Sequence, residues 1–184
     1  NIFMKVYAHF FRIVMTRASL FIGRFQPFHL GHLFVLKNCT TDTIYIGIGS
    51  SQYHHTIDNP FTYEERKTMI RLTLEEDFDI KYGIYPVDDI HDPPRWVDHV
   101  KTCLPPFTTV LTNNHITASL FKEKGFTVIY PGLRKRDLYK GEIIRDRMRT
   151  DQSWEHLVPS SVAKFLHTID AVKRLKTFSK KNKK

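Results

Sequence analysis

The sequence predicts an α/β protein, a doubly wound parallel sheet of five to six strands with helices on both faces and a C-terminal helical segment. Three observations carry this. Short runs rich in β-branched and aromatic residues alternate with longer stretches that bear helix signals, the pattern that yields parallel strands joined by right-handed crossovers. The chain has 184 residues, 41% hydrophobic and 26% charged, which suits one well-filled core better than two full domains. No apolar run approaches the roughly 20 residues of a membrane-spanning helix, so a membrane-embedded protein is excluded.

Taken in order, residues 1–16 precede the first regular pattern. They are apolar but broken by Lys5, His9 and Arg12, and lack the continuous apolar stretch of a signal peptide. They read as an N-terminal extension, with Met15 as a candidate start. Ala18–Gly23 (ASLFIG) and residues 43–50 (TIYIGIGS) read as buried strands, and Lys81–Val87, 108–111 and 127–130 as three more. Between the second and third strands, Thr62 and Glu65 have the spacing of a capping box, which predicts a helix running to about Glu76. Pro93 and Pro94 open a short helix carrying Trp96 and Val100. Gly141–Arg149 and residues 160–176 read as closing helices. The main domain is placed at 17–172 and a basic tail at 173–184.

That tail holds seven of the 28 basic side chains. The net charge of +9 falls to +2 without it. The basic character is a property of the terminus, so nucleic-acid binding is not expected. Cys39 and Cys103 are far apart with no CxxC pair, which fits a reducing, cytoplasmic setting.

Chemistry concentrates in Gly23-Arg24-Phe25-Gln26-Pro27-Phe28-His29-Leu30-Gly31-His32. The run lies where the first strand hands over to a helix, at the carboxyl end of the sheet, where open α/β folds bind ligands. A helix N-terminus attracts phosphate through its free N–H groups and dipole. Two imidazoles three residues apart add donors for charge that builds on a phosphoryl oxygen. Gly31 is expected to leave room for a ligand. No cysteine or carboxylate cluster completes a zinc site around His29 and His32. The run is neither G-x-G-x-x-G nor a Walker A loop, which disfavours a dehydrogenase or a P-loop ATPase.

This stretch resembles the H-x-G-H nucleotidyltransferase superfamily, whose nucleotide-binding core is Rossmann-like. Within it the chain is similar to the archaeal-type nicotinamide-nucleotide adenylyltransferases. The likeness continues through residues 48–52 (IGSSQ), Asn59-Pro60-Phe61 to Arg66, residues 86–90 (PVDDI), Trp96-Val97, residues 104–107 (LPPF), and Trp154 with Leu157-Val158-Pro159. The resemblance implies adenylyl transfer from ATP to nicotinamide mononucleotide (NMN) with loss of pyrophosphate, by in-line attack and with Mg²⁺ on the triphosphate. It implies that Arg24, His29, His32 and Arg145 do the catalytic work. ATP would lie against Ile22, Gly23, Arg24, Phe25, Gly31, His32, Tyr139 and Arg145. NMN would lie against Ser50, His55, Asp89, Ile90 and Trp96. It also implies a homo-oligomer, a hexamer.

Two positions depart from the family pattern. Lys140-Gly141-Glu142 stands where relatives carry Ser-Gly-Thr, so Glu142 is either an acid at a helix start, a repulsive group, or a ligand of the Mg²⁺. Pro93 stands where relatives carry an Asn near the nicotinamide amide, which leaves open the choice between NMN and nicotinic acid mononucleotide. Two other readings stay open: an H-x-G-H transferase with another phosphorylated acceptor, and a non-catalytic nucleotide sensor. Phe61 and Arg66 read as scaffold.

Overall fold

The computed structural model describes residues 18–132 and 138–181. The N-terminal extension and the last three tail residues lie outside these. Five parallel strands form one sheet among the described residues: β1 (Ala18–Gly23), β2 (Thr43–Gly49), β3 (Lys81–Val87), β4 (Thr109–Leu111) and β5 (Thr127–Ile129). Their order is β3-β2-β1-β4-β5. β1 is central, with Ala18 opposite Thr43 on one side and Ser19 opposite Thr109 on the other. Its residues are buried from Ala18 to Phe21, as a strand covered on both faces must be.

The alternation of side chains along the strands feeds two cores. Phe21, Ile44, Ile46 and Ile48 face one side, against α1 (Leu30–Lys37), α2 (Tyr63–Asp77), α5 (Gly141–Arg149), α6 (Ser160–Thr168) and α7 (Ala171–Lys181). Ala18, Leu20, Val87 and Val110 face the other side, against α3 (Pro93–Cys103) and α4 (His115–Glu123). The predicted doubly wound arrangement with helices on both faces is what forms, with five strands.

The predicted helix over 160–176 is two helices. The chain breaks at Asp170, which has φ 51°, a left-handed conformation that Asp tolerates better than most residues. The basic segment from 173 is helical through residue 181. Leu175 is fully buried, and Arg174 makes two 2.7 Å bonds to the carboxylate of Glu65. α7 carries Ala171 and Leu175 into the core, with Lys173 exposed on its other side. Among the described residues no helix is long and apolar enough to cross a membrane.

Candidate active site

Strand order fixes where a ligand can sit. From β1 the chain winds outward to β2 and β3, then returns to place β4 on the other side of β1. The crevice beyond the carboxyl ends of β1 and β4 is therefore the topological switch point, where open α/β sheets bind ligands. A cleft of about 420 Å³ lies there, lined by Ile22, Arg24, His29, Gly31 and His32 from the first strand and helix. Thr112, Asn113 and Asn114 line it from the end of β4, and Tyr139, Lys140, Gly141 and Glu142 from the start of α5. Sequence reasoning missed the 112–114 group. Its signal was there, since these residues follow a strand as polar, cap-forming types, but only the strand order puts them beside β1.

The two motif histidines cap α1. The His29 Nδ1 accepts a hydrogen bond from the His32 N–H at 3.3 Å, and the His32 Nδ1 accepts one from the His29 N–H at 3.2 Å. This is a capping box made of imidazoles, closing two of the four orphan donors at the helix start. The rings stack at 3.5 Å, and Phe25, Phe28 and Phe21 surround the His32 ring at 4.8, 5.3 and 6.0 Å. Burial pulls the His29 pKa down to about 3 and that of His32 well below its usual value. Both rings are thus neutral. With each Nδ1 accepting, each carries its proton on Nε2, so the site holds two neutral Nε2–H donors in a fixed tautomer.

Stability should therefore fall as acid is added. An unfolded histidine takes up a proton near pH 6.5, whereas folded His29 does so only near 3. Between those values the unfolded chain binds the extra proton, so stability rises with pH across the window and levels off above it. At pH 5 the loss due to His29 alone is roughly 2 kcal/mol. Urea midpoints at pH 7.5 and 5 measure it, and His29→Asn, which keeps a capping oxygen, should flatten the slope.

Gly31 packs closely against its neighbours. A Cβ there would lie 3.0 Å from His29 Cε1 and 3.0 Å from Tyr139 Cβ. The His29 ring and Tyr139 close in on the space its missing side chain leaves, and Gly31 itself lines the cleft.

The turn between β1 and α1 is held from outside. Gln26 is buried and grips the backbone of Phe61 twice, donating from Nε2 to its carbonyl and accepting from its N–H, both at 3.0 Å. Phe25 has φ 51° and is buried, while Arg24 beside it is exposed at the cleft. Non-glycine residues with positive φ also include Ser50 (49°), His55 (55°) and His91 (50°). Such strain gathers where surrounding structure enforces a functional geometry.

Arg145 is not in the cleft with Arg24 and His32. It is buried and donates to the carbonyls of Gln26 (2.8 Å) and Ile57 (3.1 Å), with Nη2 3.6 Å from Asp58. It lines a smaller neighbouring cleft of about 200 Å³, and Glu142 forms the wall common to both. Burial lowers its pKa, and the charge of nearby Arg24 lowers it further.

Of the residues expected at the mononucleotide, Ser50, Asp89 and Ile90 lie on two neighbouring loops, joined by Gln52. Gln52 clamps the backbone of Asp89, donating to its carbonyl at 2.9 Å and accepting from its N–H at 3.0 Å, and Ser51 bonds the Asp88 carboxylate. Asp89 accepts from the His91 N–H at 3.0 Å, and His91 Nε2 meets the Tyr53 hydroxyl at 2.7 Å. Ser50 and Ile90 belong to this loop pair. Asp89 does not cap α3; that is done by Asp92, which accepts from the Arg95 N–H. His55 lies apart, its ring 6.3 Å from that of Phe178 on α7. Trp96 is half-buried and sits edge-on to Phe121 at 5.6 Å, pinning α3 to α4. Among the described residues no group of three or more His, Cys, Asp or Glu is placed to hold a metal.

Residues 20–147 match the cytidylyltransferase-like family. The nicotinamide-nucleotide adenylyltransferase of Methanococcus maripaludis (strain C5) is 44% identical over 166 residues, covering 89% of this chain and 96% of its own. That of Archaeoglobus fulgidus is 44% identical over 168 residues, covering 88% and 97%. Among solved structures, a bifunctional NMN adenylyltransferase/ADP ribose pyrophosphatase from Francisella tularensis superposes with a TM-score of 0.77 at 23% identity over 92% of this chain. This chain spans 54% of that one. A second structure of that bifunctional enzyme, TM-score 0.70 over 92% of this chain and 53% of that one at 22% identity, is complexed with AMP and a Mn ion.

Proposed function

The chain belongs to the cytidylyltransferase-like family and within it to the nicotinamide-nucleotide adenylyltransferases, and on that premise we propose that it joins ATP and NMN into NAD and pyrophosphate. The observation that carries this is the histidine capping box, because it leaves two neutral Nε2–H donors at a helix N-terminus on the switch-point cleft.

A 5′-phosphate oxygen of the mononucleotide, already ionised near neutral pH, attacks the α-phosphorus of ATP in line. The new O–P bond forms as the bond to the β-phosphate oxygen breaks, and pyrophosphate leaves with that electron pair. No general base or covalent enzyme intermediate is needed, so the protein's part is positioning and charge stabilisation. Ile22, Gly23, Phe25, Gly31 and Tyr139 bound the nucleotide, and Arg24, His29 and His32 address the phosphates. Arg145 offers Nη2 to the far end of the triphosphate, where phosphate competes with Asp58. Ser50, His55, Asp89, Ile90 and Trp96 receive the mononucleotide.

Mg²⁺ enters as part of the MgATP substrate. The donor set fits this: Glu142 supplies one carboxylate at the cleft, and Mg²⁺ usually keeps waters and substrate phosphates alongside one or two carboxylates. Bound there, the ion would neutralise triphosphate charge. A hexameric assembly and a cytoplasmic setting complete the reading.

Purified protein with ATP and Mg²⁺ is assayed for NAD and pyrophosphate, with NMN and nicotinic acid mononucleotide as parallel acceptors. Product from NMN supports the proposal, and the ratio of the two rates measures what Pro93 changes. ATP binding without product from either acceptor would overturn it in favour of a sensor, the role that a carboxylate in the cleft at Glu142 would suit.

A further inference from the structure

Arg66 stands in the first turn of α2, wholly buried. A guanidinium has five N–H donors in one plane, and all five have a backbone carbonyl. Nε donates to Thr62 at 3.2 Å, Nη1 to Arg24 at 3.0 Å and Gly49 at 2.9 Å, and Nη2 to Ser50 at 3.3 Å and Ser51 at 3.2 Å. Among the described residues no carboxylate pairs with it. Burial, and then the charge of Arg24, pull its pKa down to about 10, so it is still a cation at neutral pH.

A buried charge without a counter-charge is costly, and apolar residues of similar volume often serve stability as well or better. What this cation does that an apolar side chain cannot is join two turns. One follows β1 and carries Arg24 at the ATP cleft. The other follows β2 and carries Ser50 to Gln52, which hold the backbone of Asp89 and the carboxylate of Asp88. The two turns belong to neighbouring strands with Gly23 opposite Ile48, but beyond the strand ends the ladder stops, and Arg66 takes over its role.

We infer that Arg66 is a positioning residue for adenylyl transfer, fixing the distance between the turn that handles ATP and the turn that handles the acceptor. The inference rests on the reaction proposed above. In-line displacement needs both phosphates placed together, and a misplacement near 1 Å costs about 100-fold in rate. Each turn can still bind its own substrate when the link is lost. The signature is therefore a loss in kcat with the two KM values little changed.

Arg66→Lys keeps the charge but not the planar fork. Rates are normalised to folded protein by circular dichroism. The expected result is a kcat lower by about 100-fold, with both KM values within about threefold of the parent. Arg66→Ala should recover at least about tenfold in kcat on saturating addition of guanidinium ion, which can refill the fork. A kcat per folded molecule within about threefold of the parent in Arg66→Lys would overturn the inference, since Arg66 would then serve folding only.

If neither variant folds, hydrogen exchange on the unaltered chain decides. ATP alone should slow exchange at the amides of residues 50–53, across the link from Arg24, and unchanged exchange there overturns the inference. Absence of NAD from the parent protein would instead strike at the proposed reaction, leaving the exchange measurement to judge Arg66.

Discussion

His32→Ala is expected to lower kcat by about 10² to 10³, the usual cost of removing one preorganised donor from a developing oxyanion. The substitution also removes the Nδ1 that accepts from the His29 N–H and empties a space among Phe21, Phe25 and Phe28. A cap lost in this way costs about 1 kcal/mol, so a fall in rate alone could come from a loosened helix start. His32→Gln separates the two effects. Gln is a regular partner in a capping box and can accept from the same N–H, but it does not put a donor where Nε2–H stands. The Gln variant should regain most of the melting temperature and little of the rate. Pyrophosphate release and thermal melts measure both, and a Gln variant with near-parental kcat would reduce His32 to a cap.

Gly141→Ala is expected to be destabilising, at a position where a helix would ordinarily welcome Ala by up to about 1 kcal/mol. The added Cβ would lie 2.7 Å from the Gln26 carbonyl oxygen and 3.3 Å from Arg145 Nη1. That oxygen cannot yield easily, because Gln26 is tied to Phe61 at two atoms and its carbonyl already accepts from Arg145. Relief requires either α5 or the turn from Arg24 to His29 to move. The expected cost is about 1–3 kcal/mol, with kcat/KM down by about 100-fold because the displaced turn carries the phosphate-handling groups. A melt and a steady-state assay on the same preparation test both. An unchanged or raised melting temperature would mean that the close approach of α5 to the turn is not needed.

The fold was readable because its elements are locally declared. The strands are short runs bounded by polar turns, and α2 announces itself through Thr62 and Glu65, whose reciprocal bonds of 2.9 and 3.2 Å form as expected. The motif from Gly23 to His32 was readable for the same reason, as strand, turn and helix start lie within ten residues. What lay beyond reading was relative placement. Thr112 to Asn114 reach the cleft only because β4 returns to lie beside β1. Arg145 has the right type for phosphate, but nothing in its neighbours says that it will be drawn to the carbonyls of Gln26 and Ile57. Arg66 reads as scaffold from its place inside a helix, yet its five acceptors come from three separate segments and no spacing rule joins them. The break at Asp170 depends on one residue entering a left-handed conformation, which leaves the hydrophobic period on either side intact.

The ion pair between Arg174 and Glu65 bears on when the protein becomes competent. Glu65 closes the cap of α2 through the Thr62 N–H, and Arg174 holds that same carboxylate while also donating to the Pro60 carbonyl at 3.3 Å. Pro60 adjoins Phe61, which Gln26 grips to fix the turn of the motif. The chain is made from its N-terminus, so every residue lining the cleft is synthesised before the one that secures this corner. A nascent chain can own a complete set of phosphate-handling residues and still lack their final brace. The brace arrives only once α7 has been made, so maturation of the site waits on a helix that follows every residue lining the cleft.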